Sequence, residues 1–389
     1  MSVEDSRPAP TPEKTTGRVD SLTGIRTLAA FLVCATHAAF WTGNYTDDLA
    51  GRFFARLEIG VAIFFVLSGY LLFKPWMTAL AGGGRRPSVR RYAEHRARRI
   101  LPAYWVTVLA VYAIFTWWRT DTSDLGHGWS GLLRNLTLTQ IYGYGHLHSG
   151  LTQMWSLAAE VGFYVVLPIA GWLIVSAVCR GRWRLDLIVI SLVVLGSVSP
   201  LWAIVTHTGD GLDPTARLWP PAFLTWFVGG MLLAALAQTR LRINPLLSVL
   251  IAVLAFQVSC TSIAGEPTIT PLSGSATVIK LLLYLVIALG LIAPLVLGPA
   301  GSWWDRLMGS RPMVWLGEIS YEFFLVHVMV VELVMDLLGY SIFTGSIVGV
   351  LIVTSVLSIP VAWLLHRLTV VFWRPRATAP KRQSVPSVP

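Results

Sequence analysis

At 389 residues the chain has room for two or three soluble domains, but 54% hydrophobic and only 13% charged residues, with 17 Trp, exclude that arrangement. Soluble domains carry about 25% charged residues, and the mean hydropathy here is +0.64. A net charge of +10 would suit nucleic acid, yet the Lys and Arg residues fall in short clusters between apolar runs of bilayer-spanning length. That distribution marks a polytopic membrane protein and no nucleic-acid partner.

Residues 1–19 are rich in Pro, Thr and charge, with no basic segment feeding a short apolar one, so no cleavable signal peptide is expected. Apolar runs follow at about 22–42, 58–77, 100–118, 153–178, 186–206, 218–238, 244–262, 277–297, 313–336 and 343–371. Each is close to the ~20 residues that carry a helix across about 30 Å of hydrocarbon. The expected fold is therefore all-α, with about ten transmembrane helices in a membrane domain over 20–372. Disordered segments are expected at 1–19 and 373–389.

Orientation follows from the cations. Twenty-three of the 30 Lys and Arg lie in the N-terminal segment, in 74–99, 180–184, 239–242 and 298–312, and in the tail. Six lie in the alternate connections and one, Arg26, inside the first run. The asymmetry places both termini in the cytoplasm of a multi-pass plasma-membrane protein. Cys34, Cys179 and Cys260 lie in or at the ends of apolar runs with no CxxC spacing, as core residues do. The longest outer loop, about 119–152, carries Asp121, Asp124, His127, Trp129, Tyr142, Tyr144, His146 and His148. A sugar-facing platform and a loop lying on headgroups both fit it, and its histidines lack the companion ligands a metal needs.

An ionisable residue inside a span is costly and points to function. Arg26 and His37 are eleven residues apart, about 20° from complete helical turns and roughly 16 Å along the axis. They share one face. A histidine at that depth suits a general base or nucleophile acting on a hydroxyl; a buried histidine bonded to a carbonyl, with a snorkelling arginine, fits as well. Arg96 and Arg99, at i and i+3 in RRYAEHRARRILP, suit phosphate groups or an anchor on anionic lipid. Glu160 in MWSLAAEVGFYVVLP needs a partner from another helix, with His37, Arg26 or the Arg96 and Arg99 pair as candidates. It fits the orientation of a histidine and a structural ion pair alike. WLGEISYEFFLVHV gathers Glu318, Tyr321, Glu322 and His327 at the start of the ninth run. Ser68 and Tyr70 in FFVLSGYLLF flank Gly69, a point of close approach for helices or substrate.

These segments, in this order, resemble the acyltransferase family 3 integral membrane proteins, which O-acylate sugars, lipids and macrolides. The likeness rests on RVDSLTGIRTLAAFLVCATHAAF, FFVLSGYLL, RARRILPAY, MWSLAAEVGFYVVLP, the stretch from Arg217 to FVGGMLLA, and LGEISYEFFLVH, and it covers about 18–370. It implies that His37 is catalytic with Arg26 and Glu160. It also implies that Arg96 and Arg99 contact the acyl-CoA donor, while Glu160, Glu318, Tyr321 and His327 stand at family motif positions; Ser68 and Tyr70 are expected at the donor site, and Trp155, Arg217, Glu318, Tyr321 and His327 at the acceptor site. Many bacterial relatives append an outer hydrolase-like domain. This chain ends about 15 residues after its last run and reads as a stand-alone form.

The expected activity is O-acyl, most simply O-acetyl, transfer from cytosolic acetyl-CoA to a hydroxyl of an envelope glycolipid or glycan, with no metal cofactor. His37 would take the hydroxyl proton, or carry the acyl group transiently, while Arg26 steadies the oxyanion. The bilayer, the donor and the acceptor are the expected partners, with oligomeric state left open. A proton-coupled transporter or lipid flippase is the competing class, although the paired Gly/Pro-broken helices of such carriers are missing. A membrane scaffold, for which His37→Ala would be silent, is the third.

Overall fold

A computed structural model describes residues 16–82, 86–117, 126–209, 212–269 and 273–372. The terminal segments expected to be disordered lie largely outside these residues, as do Asp121 and Asp124. The chain forms α1 (Thr16–Trp41), α2 (Leu49–Arg56), α3 (Ile59–Gly82), α4 (Val89–Trp117), α5 (Gly128–Leu136), α6 (Trp155–Trp172), α7 (Leu185–Gly196), α8 (Val198–Thr208), α9 (Leu224–Leu236) and α10 (Pro245–Ser259). It continues with α11 (Gly274–Leu297), α12 (Trp303–Met308), α13 (Arg311–Glu318), α14 (Ser320–Leu337) and α15 (Ile347–Thr369). No strand occurs among the described residues. Helices are the expected solution where no water is present to satisfy backbone N–H and C=O groups.

All ten apolar runs become helical, but not ten equal spans. Eight helices among the described residues are long and apolar enough to cross a bilayer. The ninth run breaks by 70° between α13 and α14, at Ile319. The 244–262 run yields only the 15-residue α10, about 22 Å at 1.5 Å per residue. Conversely, α4 begins at Val89, eleven residues before its apolar run, so the arginine-rich stretch forms the first turns of that helix. The three cysteines are buried.

We call the side where α1 begins the near face and the side where it ends the far face. Two apolar cores build the molecule: one joins α3, α6, α7, α9, α10 and α11, the other α1, α4, α14 and α15. Val61, Phe64 and Tyr164 pack against both, so the boundary between the cores passes along one face of α3 and of α6. Small residues set the closest approaches. A Cβ on Gly69 would lie 2.0 Å from the Phe227 carbonyl oxygen, and one on Gly230 1.9 Å from that of Val66, which locks α3 to α9. Gly60 likewise admits the Ala29 carbonyl of α1.

At the far face Arg56, only 2% exposed, donates from Nε to Ser259 O at 2.7 Å and from Nη2 to the carbonyls of Ala264 and Gly265 at 3.1 and 2.5 Å. A buried guanidinium is tolerated because it ends α10 and the turn after it, satisfying carbonyls that have no helical partner. Glu58 pairs with Lys280 at 2.9 Å and accepts from Tyr284 at 3.1 Å. These contacts fix the link between α2 and α3, which lies beside α1, where Thr36 Oγ1 donates to Ala55 O at 3.3 Å.

Candidate active site

The seam between the cores opens into a pocket of about 790 Å³ of empty space, its mouth included. Arg26, Ser68, Arg96, Arg99, Glu160, Tyr164, Ser320 and Tyr321 line it with a set of apolar side chains. The arginines reach it through helical spacing. In the first turns of α4, Tyr92, Arg96 and Arg99 are half-buried while Arg90, Arg91 and Arg98 are exposed, so the i, i+3 pair turns inward. Tyr321 Oη donates to Ile100 O at 3.0 Å, tying α14 to this stretch. Tyr92 Oη donates to Tyr164 O at 3.2 Å and does the same for α6.

Glu160 accepts from Ser68 Oγ and faces the Tyr164 hydroxyl and the charges of Arg96 and Arg26. Its partner is therefore this pocket, and not His37. Arg26 lines the pocket with Arg96, Arg99 and Glu160. Arg99 also faces Glu322, which is paired behind the pocket with His366 at 3.0 Å. Three guanidiniums against one lining carboxylate leave an excess of positive charge in a partly desolvated cavity, the arrangement that attracts and holds a polyanion.

His37 lies farther along α1, and its partner is His327, which is 0% exposed. His327 Nδ1 lies 2.8 Å from Phe324 O and its Nε2 3.1 Å from His37 Nδ1. His37 Nδ1 is also 2.8 Å from Val33 O, one turn back on its own helix. A carbonyl only accepts, so both Nδ1 atoms carry protons, His327 Nε2 accepts, and His37 Nδ1–H is shared between Val33 and His327. This accounting leaves the Nε2 lone pair of His37 free, with no hydrogen-bond partner among the described residues. A histidine held through Nδ1 with Nε2 open is the geometry of a base or nucleophile.

One turn beyond His37 on α1, Phe40 enters a second and more open pocket at the far face. Phe40, Gly43, Tyr45, Pro267, Thr268, Ile269 and Phe343 enclose about 1010 Å³ there. Phe40 meets Tyr45 and Phe343 edge-on, with centroids 5.5 and 5.4 Å apart. Thr36 and the Tyr45 hydroxyl are 2.6 Å apart, and burial pushes the phenol up from its ordinary pKa. The histidine pair thus stands between a cationic pocket and an aromatic one.

Of the other residues singled out in the sequence, Tyr70 is buried against α9 and outside the pocket lining, with the Lys74 ammonium 5.8 Å from its ring centroid. Trp155 packs on Phe223 with centroids 4.9 Å apart. Arg217 is half-buried in the 3₁₀ turn Pro214–Leu218, and Glu318 is exposed at the end of α13. The described residues of the 119–152 loop divide. Trp129 is 81% exposed, whereas His148 is buried and stacked on His127 with centroids 4.4 Å apart. Burial, and His127 beside it, push His148 down to about 3. His148 packs among the rings of Tyr112, Phe115 and His127, and neither of its ring nitrogens has a hydrogen-bond partner among the described residues. Sequence reasoning singled out Ser320, which lines the pocket, but not Tyr164, Phe64, Phe324 or His366. The Glu160 and Tyr164 spacing of i, i+4 inside a span was the available signal.

Fold and site together define a multi-pass helical membrane protein with an intramembrane histidine pair between two pockets. Residues 19–367 match the family model described as an acyltransferase domain, and the chain belongs to acyltransferase family 3. It is a membrane acyltransferase, as its motifs led one to expect. It is 27% identical over 340 residues to the acyltransferase MdmB of Streptomyces mycarofaciens, covering 83% of this chain and 81% of that protein. It is 25% identical over 338 residues to the peptidoglycan O-acetyltransferase OatA of Listeria monocytogenes, covering 81% of this chain but only 50% of OatA. No solved structure matches it.

Proposed function

We propose that this protein moves an acyl group, most simply acetyl, from acyl-CoA on the cytoplasmic side to a hydroxyl of a cell-envelope glycolipid or glycan on the other side of the plasma membrane. The observation that carries the proposal is the position of the His37 and His327 pair between a near pocket lined by three arginines and a far pocket lined by aromatic rings. Coenzyme A carries phosphates that clustered guanidiniums bind bidentately, and aromatic faces suit the apolar faces of sugar rings. The acetyltransferase OatA acts on a cell-wall polymer by its name, which favours an envelope acceptor.

The His37 Nε2 lone pair takes the acceptor hydroxyl proton as the oxygen attacks the thioester carbon. The C–O bond forms, the C–S bond breaks, and the CoA thiolate leaves toward the arginines and receives the proton from the imidazolium. Arg26 faces Arg96, Arg99 and Glu160 and shares no contact with His37. Its role in this scheme is to hold the donor, not to steady an oxyanion beside His37. Val33 O fixes the tautomer of His37, and His327 Nε2 holds the same Nδ1–H from the neighbouring helix.

Replacing His327 with Leu removes one of the two acceptors of His37 Nδ1–H, leaving Val33 O, while keeping an apolar volume. We expect a roughly 10- to 100-fold fall in kcat, about 1.4–2.7 kcal/mol, with the KM for acyl-CoA little changed and with altered pH dependence of kcat. A purely structural role would lower folded yield and leave the pH profile of the remaining enzyme unaltered.

The function itself is tested by release of free CoA from acetyl-CoA by purified protein in nanodiscs, with and without an envelope glycan and lipid extract. Acceptor-dependent release accompanied by an acetylated product supports it. Exchange of the extract components across a membrane without CoA release would favour the transporter instead.

A further inference from the structure

Gln153 links the helix that lines the arginine pocket to the helix that carries His327. It belongs to the 3₁₀ turn Ser149–Met154, which packs along α14 and leads directly into α6. Its carbonyl accepts from Ser156 Oγ at 3.1 Å, and Ser156, Glu160 and Tyr164 of α6 line the pocket. The residue is 1% exposed, and its side chain reaches the other way. Nε2 donates to Leu325 O at 2.9 Å and approaches Phe324 O at 3.5 Å. Phe324 O also accepts from His327 Nδ1 at 2.8 Å, and His327 Nε2 receives the His37 Nδ1 proton at 3.1 Å. One side chain thus joins the start of the pocket-lining helix to the backbone that orients the histidine pair.

These bonds are not needed to satisfy the groups they join. Phe324 and Leu325 lie inside α14, where each carbonyl has a helical N–H partner four residues on. The other amide atom, Gln153 Oε1, is buried with no hydrogen-bond partner among the described residues, and an orphaned buried acceptor costs stability. An apolar side chain of the same length would fill this place and leave no orphan. What glutamine adds is a donor aimed at the α14 backbone from outside that helix. The His327 ring, held by the carbonyl three residues back, keeps its direction only as well as this backbone does, and a displacement of about 1 Å can cost roughly 100-fold in rate.

We propose that Gln153 is a positioning residue for the histidine pair. By holding the Phe324 and Leu325 carbonyls from the foot of α6, it keeps His327 Nε2 on the His37 Nδ1–H and the open Nε2 of His37 in a fixed direction. This inference rests on the histidine chemistry proposed above.

Gln153→Met keeps the length and removes the donor. It is expected to lower kcat for CoA release about 10- to 100-fold, and to leave the melting temperature unchanged or higher. The KM for acetyl-CoA should stay within about twofold, because Gln153 lines neither pocket. In the His327→Leu background the same substitution should cost less than about twofold, since residues that act through one another are non-additive. Gln153→Leu makes the same comparison if the methionine variant folds poorly. The imidazole nitrogens are followed separately by NMR of histidine-labelled protein in nanodiscs, with the His327 signals assigned by their loss in His327→Leu. A shifted or broadened His327 Nδ1–H signal in Gln153→Met is expected. Wild-type kcat with unaltered His327 signals, or losses that add in the double variant, overturn the positioning role. A wild type that neither binds acetyl-CoA nor releases CoA overturns the acyl-CoA reading instead, and the NMR comparison still decides whether Gln153 orients His327.

Discussion

His37→Ala is expected to lower kcat for acyl transfer by about 10²- to 10⁴-fold, the usual contribution of a positioned general base, and to leave the KM for acyl-CoA within about twofold. The split follows from the geometry. His37 is outside the lining of the arginine pocket, so its loss removes no donor contact. It supplies the one ring nitrogen of the pair without a hydrogen-bond partner, because Nδ1 is occupied by Val33 O and His327 Nε2. Measurement of CoA release at equal folded yield checks this. A fall in affinity for the donor with unchanged kcat would instead make His37 a binding residue.

Arg96→Gln and Arg99→Gln are each expected to raise the KM for acyl-CoA by about 10- to 100-fold, since a hydrogen bond to a charged group is worth about 1.5–3 kcal/mol. Both guanidiniums line the pocket beside Arg26, and their mutual repulsion is relieved when an anion enters. Lysine should restore the charge but not the bidentate fork, so Arg96→Lys recovers only part of the affinity. Raising ionic strength should weaken donor binding in wild type more than in either Gln variant. Steady-state kinetics over a salt series reads all of these; KM values insensitive to both substitutions would assign the arginines to lipid anchoring.

Much of this was legible in the sequence because a bilayer imposes simple rules. All ten apolar runs became helical, eight of them among the described residues as helices long and apolar enough to span a bilayer, and the i, i+3 spacing of Arg96 and Arg99 accounts for both side chains lining one pocket. The α13 and α14 break and the short α10 were not legible, since apolar composition continues across Ile319 and composition does not register where a helix bends. The shared face of Arg26 and His37 is real, yet the 16 Å of rise puts them in different compartments, one in the pocket and one above it. Glu160 needed a partner, and the sequence could not choose among helices far apart in the chain; Ser68, 92 residues away, is the donor. His327 lies 290 residues from His37, and only packing of α14 against α1 brings the two rings together. Phe64 and Phe324 looked like ordinary core residues, because nothing in their local sequence marks the wall of a cavity.

The most direct measurement of transfer between the two pockets is made in sealed proteoliposomes of one orientation, with radiolabelled acetyl-CoA supplied only to the near face and a membrane-impermeant glycan acceptor enclosed on the far side. Labelled acceptor in the far compartment, matched by CoA release on the near side and lost in His37→Ala, is the expected result. Acetylation only when donor and acceptor share one compartment would contradict a transfer route that runs past the histidine pair.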